Sequence, residues 1–383
     1  MTETARQGPL SGLRVVELAG VGPAPMCGML LSDLGAEIIR IDRPVPSDLG
    51  IVQPLETNFT LRGRPTIKLD LRDARAVRLV LKLVGKADCL IEGFRPGVME
   101  RLGLGPEPCH KENPALVYGR VTGWGQSGPL APRAGHDLNY IALTGALEAM
   151  GRVGERPPIP LYLIGDFAGG ALFLAFGILA GVLEARRSGR GQVVDAAMVD
   201  GVSAMMTSLM GLRAGGVFST RRGANILDSG AYFYDVYRCA DDRFVAVGAI
   251  EKRFFEAFLS RLGIDPAEMP PPDDPSRWEE GRERLQSIFE TRNRDHWVAA
   301  FEGSDACVSP VLSLEESIDD PHMRARASHV SVGGYMQPAP APRFSETPAG
   351  TPEPPRPPEG TAALNGWLDQ AELDACCASD LLG

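Results

Sequence analysis

The chain has 383 residues, 44% of them hydrophobic and 23% charged, with a formal net charge of −10. That length fits one large or two ordinary domains, and the apolar share is enough for a real core. The acidic balance comes with no strong basic run, which excludes nucleic acid as a partner but leaves room for an anionic ligand held by local arginines.

Residues 13–18 compose a buried strand, and Gly20-Val21-Gly22-Pro23 breaks it. Residues 26–34 have helical periodicity and stop at Gly35, a good C-cap. A second strand is predicted at 37–42, then a strand at 66–71, a helix at 74–85, and strands at 88–92 and 115–121. Strands alternating with helices imply crossover units and a parallel sheet. Residues 167–183 are the one long apolar run. It is shorter than the roughly 20 residues of a membrane span. Asp166 and Glu184 bound it, and its small residues Ala168, Gly169, Gly170, Ala175 and Gly177 suit close packing, so a buried helix is expected. A further helix is expected over 194–210.

Beyond it the character changes. Residues 213–225 are Gly- and Arg-rich and read as a linker. Two β-type runs at 232–239 and 244–249 flank the short turn 240–243, and helices follow at 252–262, 278–291 and 295–301. Residues 337–360 are Pro-rich and suit a crossing strap, with a short tail after it. The expected fold class is α/β: a Rossmann-like large domain with a parallel sheet over 1–212, rejoined by 330–383, a linker at 213–230, and a smaller α+β domain at 231–329.

The seven cysteines (27, 89, 109, 239, 307, 376 and 377) are odd in number and lack CxxC spacing, which supports neither a disulfide framework nor a zinc site. They read as thiols of a reducing compartment. Residues 1–6 show no signal-peptide core, and Leu381-Leu382-Gly383 is not a peroxisomal address, so the cytoplasm is expected.

Gly20-Val21-Gly22 after the first strand invites a dinucleotide reading, but Pro25 stands where the third glycine belongs, and Pro23 and Pro25 suit a helix start instead. Arginines cluster at predicted strand ends: Arg40, Arg43, Arg62, Arg64, Arg72 and Arg95, with Arg101 just beyond. Ligands of open α/β sheets bind at carboxyl strand ends, where guanidinium forks hold phosphates; solvated arginines are the plain alternative. Gly93-Phe94-Arg95-Pro96-Gly97 makes a tight loop that presents one aromatic and one cation, suited to a flat base and a phosphate.

Gly135-His136-Asp137 and Gly165-Asp166 each place a titratable side chain before an apolar, helix-like run. Singly, His136 is a satisfied structural histidine, and Asp137 and Asp166 are helix-start residues. Together, an imidazole and a carboxyl on opposite sides of one pocket can remove a proton from one face of a carbon and return one to the other, as a racemase does. Glu251, after the run 245–249, is a third candidate, or a plain helix-start glutamate.

These stretches resemble the class III CoA-transferase family. The resemblance rests on residues 10–18 and 34–42, on Glu92 to Gly97, on Thr122-Gly123-Trp124-Gly125-Gln126-Ser127-Gly128-Pro129, on Gly165-Asp166 with Gly169-Gly170, and on Gly191-Gln192-Val193-Val194-Asp195. Gly135-His136-Asp137 is similar to the α-methylacyl-CoA racemase branch; the transferases lack this histidine and use the equivalent of Asp166 as a nucleophile. The resemblance implies His136 and Asp166 as opposed acid/bases, with Glu251 partnering His136. It implies CoA contacts at Arg43, at Leu69, Asp70, Leu71 and Arg72, at Gly93, Phe94 and Arg95, at Arg101, and at Gly135, Asp137, Leu138, Asn139 and Tyr140. It implies an interlocked homodimer, with the site between the large domain of one chain and the small domain of the other. The substrate would be a 2-methyl-branched acyl-CoA whose CoA is part of the substrate, with no other cofactor and no metal. Tyr162 departs from the pattern, standing where bacterial racemases have Asn. Two other readings are a CoA transferase working through an Asp166 anhydride and a non-catalytic acyl-CoA-binding protein. One tension is physical: a helix N-terminus would keep Asp166 ionised, whereas the apolar neighbours Leu163, Ile164 and Phe167 would favour its protonated form.

Overall fold

Six strands pair in parallel in the order β3-β2-β1-β4-β5-β6: β1 (Arg14–Leu18), β2 (Glu37–Asp42), β3 (Thr66–Lys68), β4 (Cys89–Glu92), β5 (Val117–Thr122) and β6 (Val193–Ala197). The structure, a computed structural model, describes residues 7–45, 51, 53–378 and 381–382; the N-terminal run Met1 to Arg6 lies outside them. β1 pairs with both β2 and β4, with Val15 opposite Ile38 and Cys89. Strands buried on both faces read as near-continuous apolar runs, as Arg14–Leu18 does. Alternate side chains feed two cores. Val16, Leu18, Ile39 and Leu90 pack in one, with Leu79, Val80 and Leu83 of the helix Ala74–Val84. Val15, Ile38, Cys89 and Val117 pack in the other, with Leu31 of the helix Pro23–Asp33 and Ile178 of the helix Phe173–Ser188. The order reverses between β1 and β4, where open α/β sheets open a crevice for ligands.

Three expected elements differ. The strand expected over 66–71 stops at Lys68, because β3 is an edge strand paired only with β2. Residues 193–197 are strand instead of helix, since Tyr118 to Thr122 of β5 pair with Val193 to Ala197 and override local propensity; the helix Met198–Met205 starts only after them. The apolar run is helical but not fully buried. It begins as a π-helical segment, Leu163–Leu172, and continues as Phe173–Ser188. Leu174, Ile178 and Val182 are buried, while Leu172, Phe176 and Leu183 are 52%, 73% and 70% exposed. By length and composition Leu163–Ser188 could cross a membrane. Its packing is that of a sheet-covering helix: a Cβ on Gly181 would lie 2.9 Å from Val117 of β5.

The chain divides into two compact units, one of Met1–Thr144, Pro160–Met205 and Pro321–Gly383, the other of Gly145–Ile159 and Met206–Asp320. These bounds differ from the expected 1–212, 213–230 and 231–329. Residues 213–230 belong to the second unit and are no separate linker: Arg222 pairs with Glu148, and Arg152 with Asp235, tying residues 145–159 into that unit. Its sheet runs in the order β7-β8-β9, antiparallel, from β7 (Tyr234–Arg238), β8 (Phe244–Gly248) and β9 (Val308–Pro310). Against it lie the helices Lys252–Leu262, Trp278–Phe289 and Arg294–Phe301, around a core rich in aromatics such as Phe233, Phe258, Phe289 and Trp297. Neither β9 nor the hairpin β10 (His329–Val332) and β11 (Tyr335–Pro338) was expected; Gly333 and Gly334, both at positive φ, make the hairpin's turn.

Beneath the start of the helix Pro23–Asp33 lies a buried ionic knot. Arg64 donates to Glu17 at 2.5 Å and to the carbonyl of Pro25 at 3.0 Å, and Arg40 stands 3.7 Å from the other Glu17 oxygen. Burial pushes the Glu17 carboxyl up and the Arg64 guanidinium down, against their mutual attraction. Such a pair adds little net stability, yet removing one partner strands the other charge. The knot exists only because residue 28 has no side chain: a Cβ there would lie 2.2 Å from Arg64 and 2.3 Å from Glu17. The substitution Gly28→Ala should therefore destabilise the protein by about 1–3 kcal/mol. Denaturant unfolding tests this, and an unchanged midpoint would refute the tight packing.

Candidate active site

The carboxyl ends of β1 to β4 open onto a cleft of about 470 Å3, lined among others by Leu18, Ala19, Arg43, Leu69, Asp70, Leu71, Arg72, Phe94 and Leu102. Of the residues implied for CoA, Arg43, the stretch 69–72 and Phe94 thus share one wall system. Gly93 and Arg95 flank Phe94, and Arg101 closes the short helix Val98–Arg101 that follows the same loop. A buried acid shapes that loop. Glu92 accepts from the Phe94 amide at 2.7 Å with one oxygen and from Arg120 at 2.7 Å with the other.

The arginines sort themselves by burial. Arg40, Arg62 and Arg64 are buried and committed to internal carboxylates, Arg62 to Asp33 at 2.5 Å, so they do not serve as phosphate anchors, contrary to the strand-end expectation. Arg72 lies at the cleft forked onto Asp70, whose carboxyl it holds down at about 2. The exposed guanidinium groups of Arg43, Arg95 and Arg101 make no hydrogen bond or ion pair among the described residues. Of the strand-end arginines, these three are open to an anionic ligand among the described residues.

His136 is exposed and is the N-cap of the helix Asp137–Leu143. Asn139 anchors this start by accepting from the His136 amide at 3.0 Å. Asp137 is buried, and its Oδ1 accepts from the backbone amide of Asp166 at 2.7 Å. Its Oδ2 is buried without a partner. That single bond links the two motifs across sequence. Gly165 makes room for it, since a Cβ there would stand 2.5 Å from Asp137 Oδ1. On its other side the Asp166 carboxyl packs against Gly22, at φ 65, where a Cβ would lie 2.6 Å from Oδ2. Tyr140, buried behind, donates from its hydroxyl to the carbonyl of Gly135 and packs edge-on against Trp124 at 4.8 Å. Leu138 is exposed on the same helix.

Asp166 lies in the first turn of a π-helical segment that begins at Leu163, after Tyr162, so the helix start still favours its ionised form. Burial instead pushes Asp166 up to about 6; the Asp137 charge acts in the same direction, and the His136 charge pulls down. The Tyr140 hydroxyl, raised to about 12 by burial, feels Asp166 and, in the opposite sense, Arg95. Asp166 is therefore within electrostatic reach of His136 and Tyr140, and Tyr140 of Arg95. Tyr162 is half-exposed and stacks edge-on against Phe167 at 4.9 Å, beside Asp166. Glu251 belongs to the second unit, exposed at the N-cap of Lys252–Leu262. Sequence reasoning gave Gly22 no part in the site. Its signal was present, a glycine closing the first strand-to-helix turn, but nothing local told that Asp166 would be its neighbour.

The family model for CoA-transferase family III matches residues 10–362. The chain is 44% identical over 341 residues to a protein named alpha-methylacyl-CoA racemase from Mus musculus, covering 89% of this chain and 87% of the relative. The human protein of the same name is 42% identical over the same shares. Among solved structures, a CAIB/BAIF family protein from Brucella suis is 26% identical with a TM-score of 0.79, covering 96% of this chain and all of the other.

The raised Asp166 carboxyl carries a stability signature. From an ordinary 3.8 to about 6, the native state holds its proton more tightly than the unfolded chain. The resulting stabilisation is full below pH about 4 and lost as pH rises through about 6. The variant Asp166→Asn should therefore gain on the wild type between pH about 4 and about 7, by roughly 2 kcal/mol after allowing for partial solvation. Thermal unfolding across that range checks it; parallel curves for the two proteins would contradict the shift.

Proposed function

The chain belongs to CoA-transferase family III, and from that premise we propose that it is a racemase interconverting the (2R) and (2S) forms of 2-methyl-branched acyl-CoA thioesters. The observation that carries this reading is the Asp166 carboxyl, raised to about 6 by burial and within electrostatic reach of His136. A thioester makes its α-hydrogen acidic by delocalising the carbanion onto the carbonyl oxygen. A neutral imidazole is a suitable base at neutral pH. The opposite group must hold a proton when His136 is neutral, and a carboxyl near 6 does so for a useful fraction of molecules. The shared proton belongs to the pair, so either group can begin as the acid. One abstracts the α-proton to form the enolate, and the other delivers a proton to the opposite face.

The developing enolate oxygen needs a donor. The amides of Asp137 and Leu138, first in the helix Asp137–Leu143, have no intrahelical acceptors and point toward the helix start, whereas the Asn139 amide already donates to the His136 carbonyl at 2.8 Å. Losing such a donor typically costs about 3 kcal/mol of transition-state stabilisation. Phosphates of the bound CoA would meet Arg43, Arg95 and Arg101, with Arg72 released from Asp70. In this proposal Glu251 comes from the partner chain of a homodimer and raises the basicity of His136. The exposed apolar face of Leu172, Phe176 and Leu183 supports such a pairing of copies. We place the enzyme in the cytoplasm, with no cofactor beyond the CoA of its substrate.

In deuterated water, turnover should introduce deuterium at C2 of a 2-methylacyl-CoA. Mass spectrometry of the recovered thioester reads it. His136→Ala and Asp166→Ala should each abolish racemisation while CoA still binds. Absence of label during turnover, or transfer of CoA to an added carboxylic acid without inversion, would replace this reading with acyl transfer through Asp166.

A further inference from the structure

The family match stops at residue 362, but the chain goes on to pack against the sheet's weakest edge. β3 is three residues long and pairs on one side only. The wall that follows it, residues 69–72, keeps a single tie to β2, the Leu69 amide donating to Asp42 at 2.8 Å. A strand edge this short leaves its backbone groups and apolar face to be covered by something else. The Pro-rich strap supplies the first cover: the Glu353 carbonyl accepts from Gly63 at 2.9 Å, and the Glu359 amide donates to Thr66 at 2.9 Å.

The tail supplies the second. Ala363, Leu364, Trp367 and Leu368 are buried in the same cluster as Ile67 and Leu69, with Leu71, Phe94 and Leu102 packed against it. Leu69, Leu71, Phe94 and Leu102 are also cleft-lining residues. The tail is pinned at two further points. Arg14 donates to the Gly366 carbonyl at 2.9 Å and lies 5.2 Å over the Trp367 ring. Glu372, on the helix Gln370–Cys377, accepts from Lys86 at 3.0 Å and Lys82 at 3.4 Å.

We propose that residues 363–378, with Leu381 and Leu382, are a positioning element for the nucleotide end of the CoA thioester. They bury the back of the 66–72 wall and so hold Leu69, Leu71, Arg72 and Phe94 in place for the ligand. This rests on the reading of the cleft as a CoA site. The cleft lies toward β2 and β3, whereas Asp166 packs against the turn after β1, so the tail acts on the part of the ligand remote from the reacting carbon. None of its residues touches the reacting atoms.

Calorimetric titration of the full-length protein with CoA and, separately, with pantetheine tests this, with kcat measured beside it. Trp367→Ala should raise the Kd for CoA about tenfold, or about 1.4 kcal/mol, leave pantetheine binding unchanged, and leave kcat at saturating thioester within about twofold. Equal weakening of both ligands, an unchanged Kd for CoA, or a fall in kcat alone would overturn the proposal. Should Trp367→Ala fold poorly, Leu364→Val carries the same test, with an expected rise of about threefold. A wild-type chain that binds CoA but does not racemise would sink the proposed activity and leave the role of the tail standing; one that binds no CoA would overturn both.

Discussion

One hydrogen bond organises the candidate site: the Asp137 carboxylate accepting from the backbone amide of Asp166 at 2.7 Å. It joins the start of one helix to the first turn of another, from motifs far apart in the chain. A buried acceptor with a bonded amide is a favourable arrangement, but it brings a second carboxylate close to Asp166. With burial already disfavouring ionisation, the neighbouring charge reinforces a raised carboxyl. A structural bond and a chemical property thus have one origin. The room for it comes from missing side chains at Gly165 and Gly22.

The sheet sets where this happens. Strand order reverses between β1 and β4, and the turn after each departs from the crevice. The β1 turn delivers Gly22 against Asp166, and the β4 turn delivers Phe94 to the cleft and Arg95 to the electrostatic neighbourhood of Tyr140. Buried ions hold both turns. Arg64 ties Glu17 of β1 to the Pro25 carbonyl, and Glu92 of β4 joins Arg120 to the Phe94 amide. In each case a desolvated carboxylate at the end of a strand is spent on backbone geometry one turn away, which is a use of buried charge for position more than for stability. The softest part of the same rim, beyond β3, is backed by the strap and tail instead of by another strand.

Much of the fold was legible in the chain because a parallel sheet writes itself as short apolar runs between amphipathic helices. The runs at 37–42, 88–92 and 252–262 fall within a residue of their observed elements. The misread strands have one cause. Val193 to Ala197 became strand because β5 offered an edge, and β9 formed on β8 in the same way; pairing across sequence outweighs local preference where a run is short. The apolar helix read as buried because composition records hydrophobicity but not which face meets the sheet.

For the site, the sequence by itself determined the chemical groups and their local settings: a histidine before a helix, a carboxyl among apolar residues, and a loop with one aromatic and one cation. Tertiary structure alone decided which arginines are free and which are spent on Glu17 and Asp33, that burial and the Asp137 charge outweigh the helix start at Asp166, and that Asp137 and Gly22 enclose it. The physical reason is that a pKa and a free guanidinium depend on what lies within a few ångströms through space, and the strand order that creates those neighbours is a property of the assembled sheet.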